Sequence, residues 1–208
     1  MILRWLHWLS QQYDKRWVAN AFWFSSLLPL AWLWILSRSH RRIDSAWWWL
    51  ALAFGISWIP DAPIDHMSHA LDWVLVAVYP VAQTAIVGKV LLSQTRATRF
   101  LFLLGAAAIV SIVWEGVGGP EVILPTVAWL LIAGIAWTHE TIPHLLRVSL
   151  VVYFCLGWGA WLLHAEAIKE RQDMLATYYA YQLTLLLGRV VFCIAAWRDS
   201  PKPLQLVR

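Results

Sequence analysis

Seven apolar runs, near residues 17–37, 45–60, 73–93, 99–115, 121–138, 144–164 and 174–197, fill most of the 208-residue chain and leave only short polar connections. About 20 apolar residues, rising ~1.5 Å each in a helix, match the ~30 Å hydrocarbon core of a bilayer. In that layer each backbone N–H and C=O must find its partner inside the segment, which favours helices. The expected fold is therefore an all-α membrane protein with seven transmembrane helices. The second and fourth runs are short, and flanking polar residues or a locally thin bilayer would complete them.

Composition agrees with lipid as the main solvent: 61% of residues are hydrophobic and 13% charged, where soluble domains carry about 25% charged residues. Seventeen tryptophans suit the headgroup boundary, where the indole N–H stays wet and the ring dry. No stretch between the runs is long enough for a separate soluble domain, which excludes an attached kinase, nucleotide-binding or DNA-binding module. The net charge of +4 reads as membrane topology, with no nucleic-acid partner expected.

Residues 1–16 set Ile2, Leu6, Leu9 and Trp5 on one helical face and Arg4, Gln11 and Lys15 elsewhere. They read as an interfacial amphipathic helix. The small residues Ala19-Asn20-Ala21 stand at the start of the hydrophobic run and not after it, which argues against a cleaved signal peptide. The expected organisation is that helix at 1–16, a transmembrane domain at 17–197 and a cytoplasmic tail at 198–208.

Arg38, Arg41, Arg42, Arg96, Arg99, Arg147, Arg198, Lys202 and Arg208 fall on one side of the seven-span plan. The other side holds Arg4, Lys15, Arg16, Lys169 and Arg171 together with most of the acids, including Asp61, Asp65, Asp72, Glu115 and Glu166. The positive-inside rule puts the N-terminus outside and the C-terminus in the cytoplasm. Cys155 and Cys193, if their helices are antiparallel, differ by about 10 Å in depth, too far for a disulfide.

A faint repeat occurs at an offset of 100 residues. Tyr79, Thr84, Gly88 and Val90 match Tyr179, Thr184, Gly188 and Val190, with Lys89 opposite Arg189. Leu50, Phe54 and Trp58 match Leu150, Phe154 and Trp158 at the same offset, each set spaced by four along one helical face. The repeat divides the spans into a first triplet at 17–93, a linker helix at 99–115 and a second triplet at 121–197. An odd linker returns the second triplet to the orientation of the first, giving parallel repeats about the membrane normal.

In this plan the chain resembles the SWEET, PQ-loop and vitamin-uptake families of 3+1+3 transporters. The resemblance implies hinge prolines at Pro29 and Pro125 and substrate-lining roles for Trp58 and Trp158. The sequence departs from the pattern in having no Pro-Gln dipeptide.

Tyr79 and Gln83, one turn apart with Thr84 beside them, stand near the middle of the third span, and Tyr178, Gln182 and Thr184 near that of the seventh. An unmet polar group in hydrocarbon costs several kcal/mol, so these side chains either face a common polar pocket, with Trp58 and Trp158 as stacking walls, or bond to one another and fix helix packing. No carboxylate lies near the centre of any span, which disfavours a proton pump or strongly ion-coupled carrier. The seventh span has no lysine, which removes an opsin. Lys89 and Arg189 lie toward helix ends, from which their stems would snorkel to the interface.

A second cluster, His66, His69 and Asp72, has the three-residue spacing of metal ligands on a helix, with His164, Glu166 and Asp173 on the same side. Zinc there would suit a membrane lipid hydrolase; a capped polar loop at Pro60 and Pro63 accounts for the same residues. Three readings follow: a small facilitator or carrier for a neutral or weakly polar solute, needing no cofactor; a non-catalytic subunit bound to membrane partners or to copies of itself; and the zinc hydrolase.

Overall fold

The computed structural model describes residues 15–39, 42–56, 81–92, 96, 99, 100, 103, 106, 120–138, 142–169 and 174–200. Their regular structure is helical: α1 Lys15–Ser25, α2 Leu28–Arg38, α3 Ser45–Gly55, α4 Val81–Leu91, α5 Pro120–Thr138, α6 His144–Leu150, α7 Gly157–Lys169 and α8 Met174–Asp199. A π-helical turn, Val151–Leu156, joins α6 to α7 into one continuous rod.

Local sequence explains the ends. Asp44 caps α3, its Oδ1 accepting from the Ala46 N–H at 3.0 Å. The first apolar run, expected as one span, is two helices. Pro29 lacks an N–H and its ring would collide with the carbonyl four residues earlier, so α1 stops at Ser25 and Pro29 opens α2. Tight bonds from Ser26 N–H to Trp23 O and from Leu27 N–H to Phe24 O close the break.

Side-chain contacts give the helix directions. Phe22 packs on Tyr179 at 6.1 Å, Ser25 meets Arg189, and the Trp32 Nε1 donates to Cys193 O at 2.9 Å. α1, α2 and α8 therefore run the same way. The α6–α7 rod runs against α8, with Ser149 and Tyr153 beside Gly188, Gly157 beside Leu185 and His164 beside Thr177. Glycine allows the close crossings: a Cβ on Gly188 would lie 2.8 Å from Tyr153 Cβ and 3.0 Å from its backbone N. The core is aromatic, Phe54 standing 4.6 Å from the Tyr153 ring, 4.8 Å from Phe192 and 5.9 Å from Phe154.

Two helices among the described residues are long and apolar enough to cross a bilayer: His144–His164, 21 residues with mean hydropathy 1.6, and Ala176–Asp199, 24 residues with mean hydropathy 1.5. Val81–Leu91 and Thr126–Thr138 are shorter apolar helices. Large side chains project outward around the bundle, among them Phe24, Trp34, Trp49, Leu130, Trp137, Leu163 and Trp197. Trp47, Trp48 and Trp49 divide as a helical triplet must, into buried, half-buried and exposed. The thiols of Cys155 and Cys193 are free.

The expected interfacial helix at 1–16, all but its last two residues, and the tail beyond Ser200 lie outside the described residues, as does most of the linker at 99–115. Phe54 and Phe154 are buried against each other, and Gly88 and Gly188 both admit an aromatic residue, Phe100 and Tyr153, at close range. Lys89 is exposed while Arg189 is 0% exposed.

Candidate functional site

The π turn is where polar chemistry concentrates. Accommodating an extra residue in one turn shifts the helical register and re-aims the side chains it carries, and Tyr153 stands in that turn. Its hydroxyl donates to Phe54 O at 3.2 Å, in the last turn of α3. Gln83 on α4 serves the neighbouring carbonyl, Nε2 donating to Ala53 O at 2.7 Å, and the same nitrogen lies 3.5 Å from the Tyr153 hydroxyl. One tyrosine and one amide thus tie α3, α4 and the α6–α7 rod together.

Arg189 closes the cluster from α8. Its Nη1 donates to Ser25 Oγ at 2.6 Å, Ser25 Oγ in turn donates to Phe22 O at 2.5 Å, and the guanidinium carbon sits 5.5 Å from the Tyr153 ring centroid. The arginine is buried rather than snorkelling: it lies ten residues before the end of α8, and the break after Ser25 brings a hydroxyl within reach of the guanidinium. Close by, Ser149 Oγ donates to Gly188 O at 2.9 Å. Gln83 is 0% exposed, and its Oε1 has no hydrogen-bond partner among the described residues.

The residues expected to line a pocket divide into separate groups. Gln83 belongs with the Tyr153 cluster, and the adjacent Thr84 is fully buried. Gln182 lies six residues before Gly188, about 9 Å along the helix axis. It is 2% exposed, and its Nε2 donates to Tyr178 OH at 3.2 Å. Tyr178 also faces the His164 ring at 5.6 Å, and His164 Nδ1 shares a 3.0 Å hydrogen bond with Thr177 Oγ1. Thr184 bonds back to Ala180 O of its own helix at 2.8 Å.

Trp158 is packed rather than open, 5% exposed, stacked on Trp161 at 4.7 Å and edge-on to Trp129 at 5.0 Å. Trp58 and Tyr79, and the proposed metal ligands His66, His69 and Asp72, lie outside the described residues. Among the described residues no group of three histidine, cysteine or acidic side chains is placed to hold a metal.

Tyr153, Arg189, Ser25 and Ser149 complete a site of which the sequence marked Gln83. The mid-run position of Tyr153 and Ser149 was the available signal, since a hydroxyl in an apolar run needs a partner.

Comparison with protein-family profiles, with characterised proteins and with solved structures finds no match to this chain. Its class therefore rests on its own geometry: among the described residues, helical regular structure with two helices of membrane-crossing length and a buried polar cluster about a π turn.

Proposed function

We propose that this chain is a multi-pass integral membrane protein with seven transmembrane helices in the 3+1+3 plan, its N-terminus outside and C-terminus cytoplasmic. It acts as a small facilitator for a neutral or weakly polar solute. The membrane placement is supported by the seven apolar runs, the two helices of spanning length and an outward face rich in tryptophan and leucine, a surface that water would penalise. One observation carries the solute class. Gln83 Oε1 is a fully buried acceptor without a hydrogen-bond partner among the described residues, on the side chain whose Nε2 lies 3.5 Å from the Tyr153 hydroxyl. Native interiors rarely leave such a group unmet, and a hydroxyl or amide N–H on a passing solute would satisfy it.

On this reading the described form is closed, with Tyr153 and Gln83 bridging α3 to the π turn and barring the path. Opening requires those bonds to exchange for bonds to solute. The test is vesicle swelling or stopped-flow shrinkage with a panel of small polyols, urea and amides. Wild-type vesicles are expected to equilibrate at least one panel member several-fold faster than empty ones, and Gln83→Leu protein of unchanged helicity to lose that advantage. Rates equal to empty vesicles across the panel would overturn the reading.

A further inference from the structure

We propose that the groove between the end of α5 and the start of α6 is a seat for one anionic phospholipid. It is an open hollow of about 260 Å³ lined by Ala136, Trp137, His144, Arg147, Val148, Val151 and Val152. The seat rests on the membrane placement of the α6–α7 rod and is independent of solute transport.

Its polarity is graded along the rod. His144 and Arg147 stand in the first turn of α6, at the end of the rod, while Val151 and Val152 lie a further turn or two inward, about 12 Å below His144 at the deepest. That profile, charge at the membrane boundary and an apolar floor running toward the interior, has the shape of a headgroup followed by the first part of an acyl chain. Trp137, in the last turn of α5, is 79% exposed, in the place an indole takes at headgroup level.

Charge selects the lipid. The described residues that line the groove include no acid, and among the described residues the buried Nε of Arg147 has no hydrogen-bond partner. A phosphodiester oxygen supplies that partner, and basic hollows between membrane helices are suited to anionic headgroups. Arg38 and Arg198 lie at the same end of the bundle, since α2 and α8 both finish there. They add attraction to an anionic leaflet, whereas Arg147 alone of the three lines the groove.

The test uses the full chain in mixed micelles, read by native mass spectrometry with phosphatidylglycerol and phosphatidylcholine at equal mole fraction. One phosphatidylglycerol per chain is expected to be retained, with at least a tenfold preference over phosphatidylcholine. Arg147→Gln should reduce that preference fivefold or more, and Arg198→Gln should leave it within twofold. Val148→Phe, which fills the apolar floor, should lower retention of both lipids. Equal retention of the two lipids by the wild type would overturn the seat, as would equal losses from Arg147→Gln and Arg198→Gln, which would mean general surface attraction. Displacement of the lipid by millimolar inorganic phosphate would overturn the choice of a lipid over a free anion.

Discussion

Tyr153 does at one position what membrane helices usually divide among several small polar residues. Its ring fills the space against Phe54, its hydroxyl donates to the Phe54 carbonyl, and its backbone accepts the close approach of Gly188. Tyr153→Phe keeps the ring and removes the hydroxyl, leaving Phe54 O without that donor; a loss of about 1–2 kcal/mol is expected, read as a lower unfolding temperature in detergent. Gly188→Ala places a methyl group against the Tyr153 backbone, which cannot yield as a side-chain tip would. It should cost at least as much, while Gly134→Ala, with nothing within 4 Å of the added carbon, should be neutral or stabilising by up to ~1 kcal/mol. If the two alanine variants unfold at the same temperature, the close crossing of α8 and the π turn is not what holds this region.

Among the elements, the α6–α7 rod is the one interrupted by a π turn, which sits where the rod meets α3, α4 and α8. A π turn absorbs one extra residue, so removing one residue from Val151–Leu156 would restore the α-helical ladder while turning the rod beyond it only slightly relative to α6. His164 would stay beside Thr177 and Gly157 beside Leu185, but Tyr153 would be re-aimed away from Phe54 O. The expected result is a chain that keeps its helicity but unfolds at a lower temperature, whereas deleting Ser39, at the exposed C-cap of α2, should be tolerated. Equal tolerance of the two deletions, measured by circular dichroism melting, would mean the π register has no packing role. The helix positions themselves were legible in hydropathy: the seventh run, 174–197, is Met174–Asp199. The π turn was not, since nothing in Val-Val-Tyr-Phe-Cys-Leu separates it from an ordinary apolar helix, and its cause lies in partners distant in sequence. The break after Ser25 was half legible, because Pro29 marks a helix start but its position inside an apolar run equally suits a kinked continuous span. Gln83 and Gln182 were recognisable as polar groups in need of partners; that their partners are different followed only from depth along α8. Arg189 was the opposite case, since an arginine near a helix end ordinarily snorkels, and here packing of α1 against α8 forbids it.

At the scale of the molecule, the directions of the helices place Arg38, Arg147 and Arg198 at a common end, because α2 and α8 finish there and the α6–α7 rod begins there. That grouping follows from packing contacts alone, independent of any rule about charge and membrane sides, yet it coincides with the basic side of the seven-span plan. The coincidence makes a test of the membrane placement that does not involve transport. With Cys155 and Cys193 replaced by serine or alanine, single cysteines at Ser39, at the exposed C-cap of α2, and at Arg198, in the exposed last turn of α8, should react with a membrane-impermeant maleimide from the same face of sealed vesicles. A cysteine at Leu163, exposed in α7 and about three-quarters of the way along the α6–α7 rod from His144, should be shielded from both faces or labelled from the other one. Equal labelling of all three from one side, without lysis, would mean that the rod does not cross the bilayer. Labelling of Ser39→Cys and Arg198→Cys from opposite faces would break the parallel packing of α2 and α8, and with it the bond from Trp32 to Cys193 O on which that direction rests.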